Sequence, residues 1–105
     1  MTQLREATIT KKILDHLKTL PGCYARKTIG GPYGAGWPDI VGCWHGRTLM
    51  LEVKTETGHV TPLQEAELCK WKRAGAISAV VRSVEDVQQL MEEFGIMNRE
   101  THVRA

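Results

Sequence analysis

The sequence predicts an α/β fold in which a central, mixed four-stranded sheet is flanked by helices in the order αβββαβα. Three observations carry this expectation. Apolar residues recur at helical spacing in three separate stretches. Four short runs between them read as strands. The first three strands are joined by short connections and suit an antiparallel meander, whereas the fourth follows a helix. It is therefore expected to join its neighbour in parallel through a right-handed crossover.

Residues from about Thr2 to Leu20 form the first predicted helix, with Ile9, Ile13, Leu17 and Leu20 on one face and Pro21-Gly22 as its stop. Glu6 lies seven residues before Ile13, nearly two turns, and so falls on the apolar face. It is either a wet first-turn carboxylate favoured by the helix dipole or a residue lining a metal site. Cys23 to Ile29 reads as a strand, followed by the glycine-rich stretch Gly30-Gly31-Pro32-Tyr33-Gly34-Ala35-Gly36. No helix follows this stretch, so it is not a nucleotide fingerprint; it reads as a loop. Tyr33 and Trp37 beside it either pack or stack on bases or a partner chain. Ile40 to Trp44 and Arg47 to Lys54 are strands joined by a His45-Gly46 turn.

Thr61-Pro62-Leu63-Gln64 is a helix start in which Thr61 caps, Pro62 suits the first turn and Gln64 completes a capping box. That helix is expected to reach about Ala74, with Gly75 ending it. Gln64 shares a face with Leu68 and Trp71, so it either only caps or also points inward. Ala76 to Arg82 is a buried strand, and Ser83 caps a last helix carrying Val84, Val87, Leu90, Met91 and Phe94. A single domain over residues 1–97 and a polar tail over 98–105 are expected.

With 105 residues, 42% hydrophobic and 25% charged, the chain suits one modest core. Its polar start lacks an apolar signal segment and no run approaches a membrane span, so a cytoplasmic location without membrane attachment is expected. Cys23, Cys43 and Cys69 form no C-x-x-C pair, and His16, His45, His59 and His102 show no zinc spacing. The net charge of +2 does not by itself announce a nucleic-acid binder. Local basic clusters at Lys11-Lys12, Arg26-Lys27 and Lys70, Lys72, Arg73 are either solvated faces or phosphate contacts.

The stretch that carries chemistry is split: Trp37-Pro38-Asp39, then twelve residues, then Glu52-Val53-Lys54. Side chains alternate along a strand, so Glu52 and Lys54 project from one face. A hairpin of this length can bring Asp39 to Glu52. Two carboxylates and a lysine then converge, a set suited to Mg²⁺ or Mn²⁺. On the strand alone, Glu52 and Lys54 also read as a surface ion pair.

On Gly36-Trp37-Pro38-Asp39, Glu52-Val53-Lys54, Gly58, Thr61-Pro62-Leu63-Gln64 and the early Glu6, the chain resembles a stand-alone VRR-NUC domain of the PD-(D/E)XK nuclease superfamily over about residues 4 to 95. The resemblance implies a restriction-endonuclease-like core and a divalent-metal-dependent DNA endonuclease. By position it makes Asp39, Glu52 and the Val53 carbonyl metal ligands, with Glu6 contacting metal directly or through water. Lys54 would orient or activate the attacking water, and Gln64 would hold the lysine or a metal-bound water. It further implies branched DNA as substrate, Holliday-junction resolution by a symmetric homodimer, and no organic cofactor. The alternatives are a flap-type or general nuclease and a non-catalytic DNA-binding module. Lys11, Lys12, Arg26, Lys27 and Tyr33 are the candidate DNA contacts; Tyr33, Trp44, Trp71 and Met97 are candidate interface or core residues.

Overall fold

A computed structural model describes residues 4–29 and 36–102 of the chain. Seven elements follow in the predicted order: α1 (Glu6–Leu17), β1 (Cys23–Lys27), β2 (Ile40–Trp44), β3 (Arg47–Val53), α2 (Pro62–Arg73), β4 (Ile77–Val81) and α3 (Val84–His102). The boundaries are tighter than the apolar spacing suggests. Arg5 is extended (φ −71°, ψ 151°) and holds α1 to a start at Glu6. At the other end Leu20 N–H bonds back to the Leu17 carbonyl in a tight turn outside the helix. In contrast, α3 runs on through residue 98, where the composition suggests a tail, and reaches His102.

The strands lie in the order β1-β2-β3-β4. β1 with β2 and β2 with β3 are antiparallel, while β3 and β4 are parallel through α2, as the connection lengths predict. The β2–β3 hairpin closes on His45 (φ 49°) and Gly46 (φ 80°). Two left-handed residues make the turn whose twist matches the strands it joins. That turn fixes the register, with Ile40 opposite Leu51 and Trp44 opposite Arg47.

Side-chain alternation sorts the sheet into two faces. One face carries Ile40, Trp44, Leu49, Leu51, Val53, Ile77 and Val81, packed with Ile9, Ile13 and Leu17 of α1 and Val87 and Met91 of α3. Fully burying one such side chain stabilises by about 1.5–3 kcal/mol, so this layer is the core. Trp44 belongs to it, with Gly95 of α3 against its ring, which settles its role as packing. The other face carries Met50, Glu52 and Ser78, and is covered by α2 where it crosses β3 and β4. Ser78 Oγ donates to the Leu68 carbonyl at 2.9 Å and pins the helix there. On β1 and β2 the same face carries Tyr24, Arg26 and Cys43, all exposed. Among the described residues no helix is long and apolar enough to cross a membrane.

Gly42 permits the close approach of β1 to β2. A Cβ at this position would lie 2.5 Å from the Tyr24 carbonyl oxygen and 2.7 Å from Ala25 Cβ. Both neighbours belong to the paired strand and cannot swing away. Gly42→Ala is expected to lower unfolding free energy by roughly 1–3 kcal/mol in urea titration, the usual range for overpacking. An unchanged midpoint would show that β1 is not held this tightly.

Candidate active site

The site is built at the end of the β2–β3 hairpin. Extending the observed register by one residue sets Asp39 opposite Glu52. Three contacts fix the approach to Asp39. Pro38 is fully buried. Its carbonyl accepts from Thr28 Oγ1 at 2.7 Å. The Asp39 carbonyl accepts from Thr28 N–H at 2.8 Å, continuing the β1–β2 ladder. The Asp39 carboxylate then reaches across the hairpin, where Oδ2 accepts from Val53 N–H at 2.8 Å. An ionised acceptor makes this bond stronger than an ordinary ladder bond.

Glu52 is only 2% exposed. Its Oε2 lies 3.6 Å from Lys54 Nζ, one pleat along the same face, and the lysine side chain is 12% exposed. Burial pushes the Glu52 carboxyl up; the charge of Asp39 and a hydrogen bond to it push further, and Lys54 offsets only part of this. The result is a carboxyl raised to about 7. The carboxyl groups of Asp39 and Glu52 therefore interact, and among the described residues Lys54 is the cation paired with Glu52. A divalent ion relieves this repulsion, and the oxygen donors suit Mg²⁺ or Mn²⁺. Mg²⁺ typically takes one or two carboxylates, with water and substrate phosphate completing its shell. Among the described residues no cluster of three His, Cys, Asp or Glu side chains forms a fuller cage.

No protein-family model and no curated protein matches the sequence. Solved structures do match. One described as "VRR_NUC domain" is 28% identical, with a TM-score of 0.69 over 83% of this chain and 94% of the other. Another, described as "VRR_NUC domain protein", is 15% identical, with a TM-score of 0.67 over 87% of this chain and 91% of the other. The fold is that of a VRR-NUC domain.

Within this VRR-NUC fold the residues singled out in the sequence separate into groups. Asp39, Glu52 and Lys54 come together. Glu6 is exposed in the first turn of α1, the helix packed on the opposite face of the sheet. Gln64 completes the capping box, its Oε1 accepting from Thr61 N–H at 3.0 Å while Thr61 Oγ1 accepts from Gln64 N–H at 3.2 Å. Arg26 and Lys27 are adjacent in sequence but point to opposite faces, and only Arg26 shares the face of the carboxylates. Lys27 lines a groove on the α1 side with Lys11 and Lys18. Lys11 is in an exposed ion pair with Asp15 at 2.9 Å. Lys12 lines a small cavity with Leu4, Ile9 and Arg82. Tyr33 lies outside the described residues, as does the side chain of Met97.

Two features around Lys54 and Trp37 carry no local signal in the sequence. The Arg82 guanidinium donates to the carbonyls of Thr55 at 2.6 Å and Gly58 at 2.7 Å, and so clamps the turn that follows Lys54. Asp86 Oδ2 in turn accepts from Arg82 N–H at 2.9 Å. No local pattern announces an arginine acting on a turn more than twenty residues upstream. The second feature is an aromatic pair: Trp37 and Trp71 meet edge to face, with centroids 5.8 Å apart. Trp37 was singled out, but its contact with α2 depends on how that helix crosses the sheet.

A raised carboxyl makes stability depend on pH with a definite sign. Between about 4.5 and about 7 the folded chain holds a proton on Glu52 that the unfolded chain has released. The contribution is fully present below 4.5 and is lost as pH rises through about 7. In chelator, wild type is expected to lose up to roughly 3 kcal/mol across this window relative to Glu52→Gln. Denaturant titrations at several pH values measure it; parallel pH profiles for the two proteins would remove Glu52 as the titrating group.

Proposed function

We propose that the chain is a divalent-metal-dependent, structure-selective DNA endonuclease that hydrolyses phosphodiesters, resolving Holliday junctions as a symmetric homodimer. The observation that carries this reading is Glu52, a buried carboxyl held opposite Asp39 with the Lys54 ammonium 3.6 Å away. A structural ion pair would gain nothing from a second carboxylate. A phosphodiester-cleaving centre needs both, because it must hold a cation and neutralise the phosphate. Similarity to solved VRR_NUC domains supports the same reading.

In this mechanism Asp39, Glu52 and the Val53 carbonyl would hold Mg²⁺ or Mn²⁺. The ion would supply Lewis-acid polarisation of the phosphate and lower the pKa of water. Glu52 would serve as a ligand in its deprotonated form, so metal and proton would compete for it. The Lys54 ammonium, 3.6 Å from Glu52 Oε2, is placed to orient the attacking water and to offset charge on the phosphate. Arg82 holds the turn behind Lys54 and thereby its backbone position. Gln64 has its amide oxygen engaged in the cap, and its amide nitrogen is left to donate to a water. Glu6 would contact the ion directly or through water.

A homodimer follows from the substrate. A four-way junction has two-fold symmetry and requires two cuts, and a two-fold pair of chains presents two identical centres at fixed spacing. Sedimentation at working concentration tests this, and a monomer would remove symmetric resolution.

The deciding experiment is cleavage of end-labelled four-way junction, flap and duplex DNA with Mg²⁺ or Mn²⁺. Paired symmetric nicks in the junction are expected, absent in chelator and reduced at least ~100-fold in Asp39→Ala and Lys54→Ala. Cutting confined to the flap would replace junction resolution by flap cleavage. Unchanged cleavage by Lys54→Ala would overturn the catalytic assignment. As an independent check, Mg²⁺ is expected to raise the melting temperature of wild type at pH 7.5, but not that of Asp39→Asn.

A further inference from the structure

The face of the sheet that carries Asp39 and Glu52 is only half covered. Among the described residues, α2 lies over β3 and β4 and no helix lies over the β1–β2 half. By alternation and register, Tyr24 and Arg26 of β1 and Cys43 of β2 point out of this half, on the same face as the carboxylates. Tyr24 is 69% exposed. At the border with α2 stands Trp37, 44% exposed, its ring steadied by Trp71. Trp37 is two residues from Asp39, an extended span of at most about 7 Å. An exposed tyrosine floor, an exposed tryptophan wall and a cation thus lead directly to the two carboxylates.

We propose that this uncovered half-sheet, floored by Tyr24 and Arg26 and walled by Trp37, binds an unpaired strand of nucleic acid running into the Asp39–Glu52 site. Ring faces are what unpaired bases stack on, and the contact tolerates any sequence because every base has a π-face. Arg26 supplies charge for the backbone between them. Tyr24 stands two strands across and four residues along from Glu52, roughly 16 Å, a length that a few nucleotides of unpaired strand cover. A second copy of the chain fits this face poorly. Face-to-face packing would bring Arg26 toward its own equivalent and would close the carboxylates off from any substrate.

The inference rests on the nuclease reading for what happens at the carboxylates, where an unpaired strand belongs to a flap-type substrate or to a junction opened at its crossover, but its test does not require cleavage. Binding of a labelled oligonucleotide of about ten nucleotides is measured in chelator by fluorescence anisotropy, beside a duplex of equal length. Trp37→Leu keeps an apolar side chain against Trp71 but removes the π-face; Trp37→Phe keeps a smaller one. The expected result is a ~5- to 150-fold loss of single-strand affinity for Trp37→Leu, a smaller loss for Tyr24→Leu, and Trp37→Phe within ~3-fold of wild type. Arg26→Gln is expected to lower the salt slope by about one phosphate contact. Duplex affinity should move less than ~2-fold for the two leucine variants.

Equal binding by the leucine and phenylalanine variants would overturn the proposal, as would a parallel loss for duplex. A wild-type dimer that Tyr24→Leu dissociates would assign the face to a second copy instead. Because Tyr24 is exposed, its variant remains informative if Trp37→Leu fails to fold. Failure of the nuclease reading would look different: ring-dependent single-strand binding would persist with no metal-dependent cutting.

Discussion

The site depends on the hydrogen bond that Val53 N–H donates to the Asp39 carboxylate across the β2–β3 hairpin. It joins the side chain of one strand to the backbone of the next at the point where Glu52 is buried. Without it Asp39 would be free to turn toward water, and Glu52 would lose the neighbour that helps keep it protonated. The bond requires the hairpin register, and the register requires the left-handed His45-Gly46 turn at the far end. A one-residue slip would exchange the two faces and turn Glu52 into the apolar layer of α1 and α3. Turn chemistry at one end of the hairpin thus determines the electrostatics at the other.

Burying Glu52 is costly, and the fold does not provide a full set of compensating cations. Lys54 is close but offsets only part of the effect of burial and of Asp39. A purely structural site would have acquired a second cation or lost a carboxylate, since an incompletely paired buried charge destabilises. Retaining both carboxylates makes sense where a divalent ion completes the balance. Arg82, which might have paired with them, is engaged with backbone carbonyls instead. It thereby preserves the shape of the turn after Lys54 without neutralising the centre.

Much of this was legible in the sequence because the determinants are local. The hairpin turn, the Thr61–Gln64 capping box and the Ser83 cap each depend on residues within a few positions of one another, and each appears as read. Alternation along β3 gave the shared face of Glu52 and Lys54 for the same reason. What was not legible has a common physical source. Helical phase puts Glu6 in line with Ile13, but phase does not say how many turns the sheet covers, and Glu6 is exposed in the first turn of α1. Arg82 and the Trp37–Trp71 contact depend on which elements become neighbours in space. No spacing rule within one segment reports that.

The pair Arg26-Lys27 shows how far face assignment changes a functional reading. As a sequence cluster it is one basic patch. On a strand it is two residues directed to opposite sides of a sheet. Lys27 joins Lys11 and Lys18 in a groove beside α1, while Arg26 stands with Tyr24 on the uncovered half of the carboxylate face. A nucleic acid that touched all the basic residues would have to wrap around the edge strand β1. One that touches Arg26 alone can lie flat across the half-sheet and reach Asp39 and Glu52 without obstruction from α2. The small net charge of +2 is consistent with the second arrangement, in which stacking on exposed rings carries more of the contact than bulk electrostatic attraction.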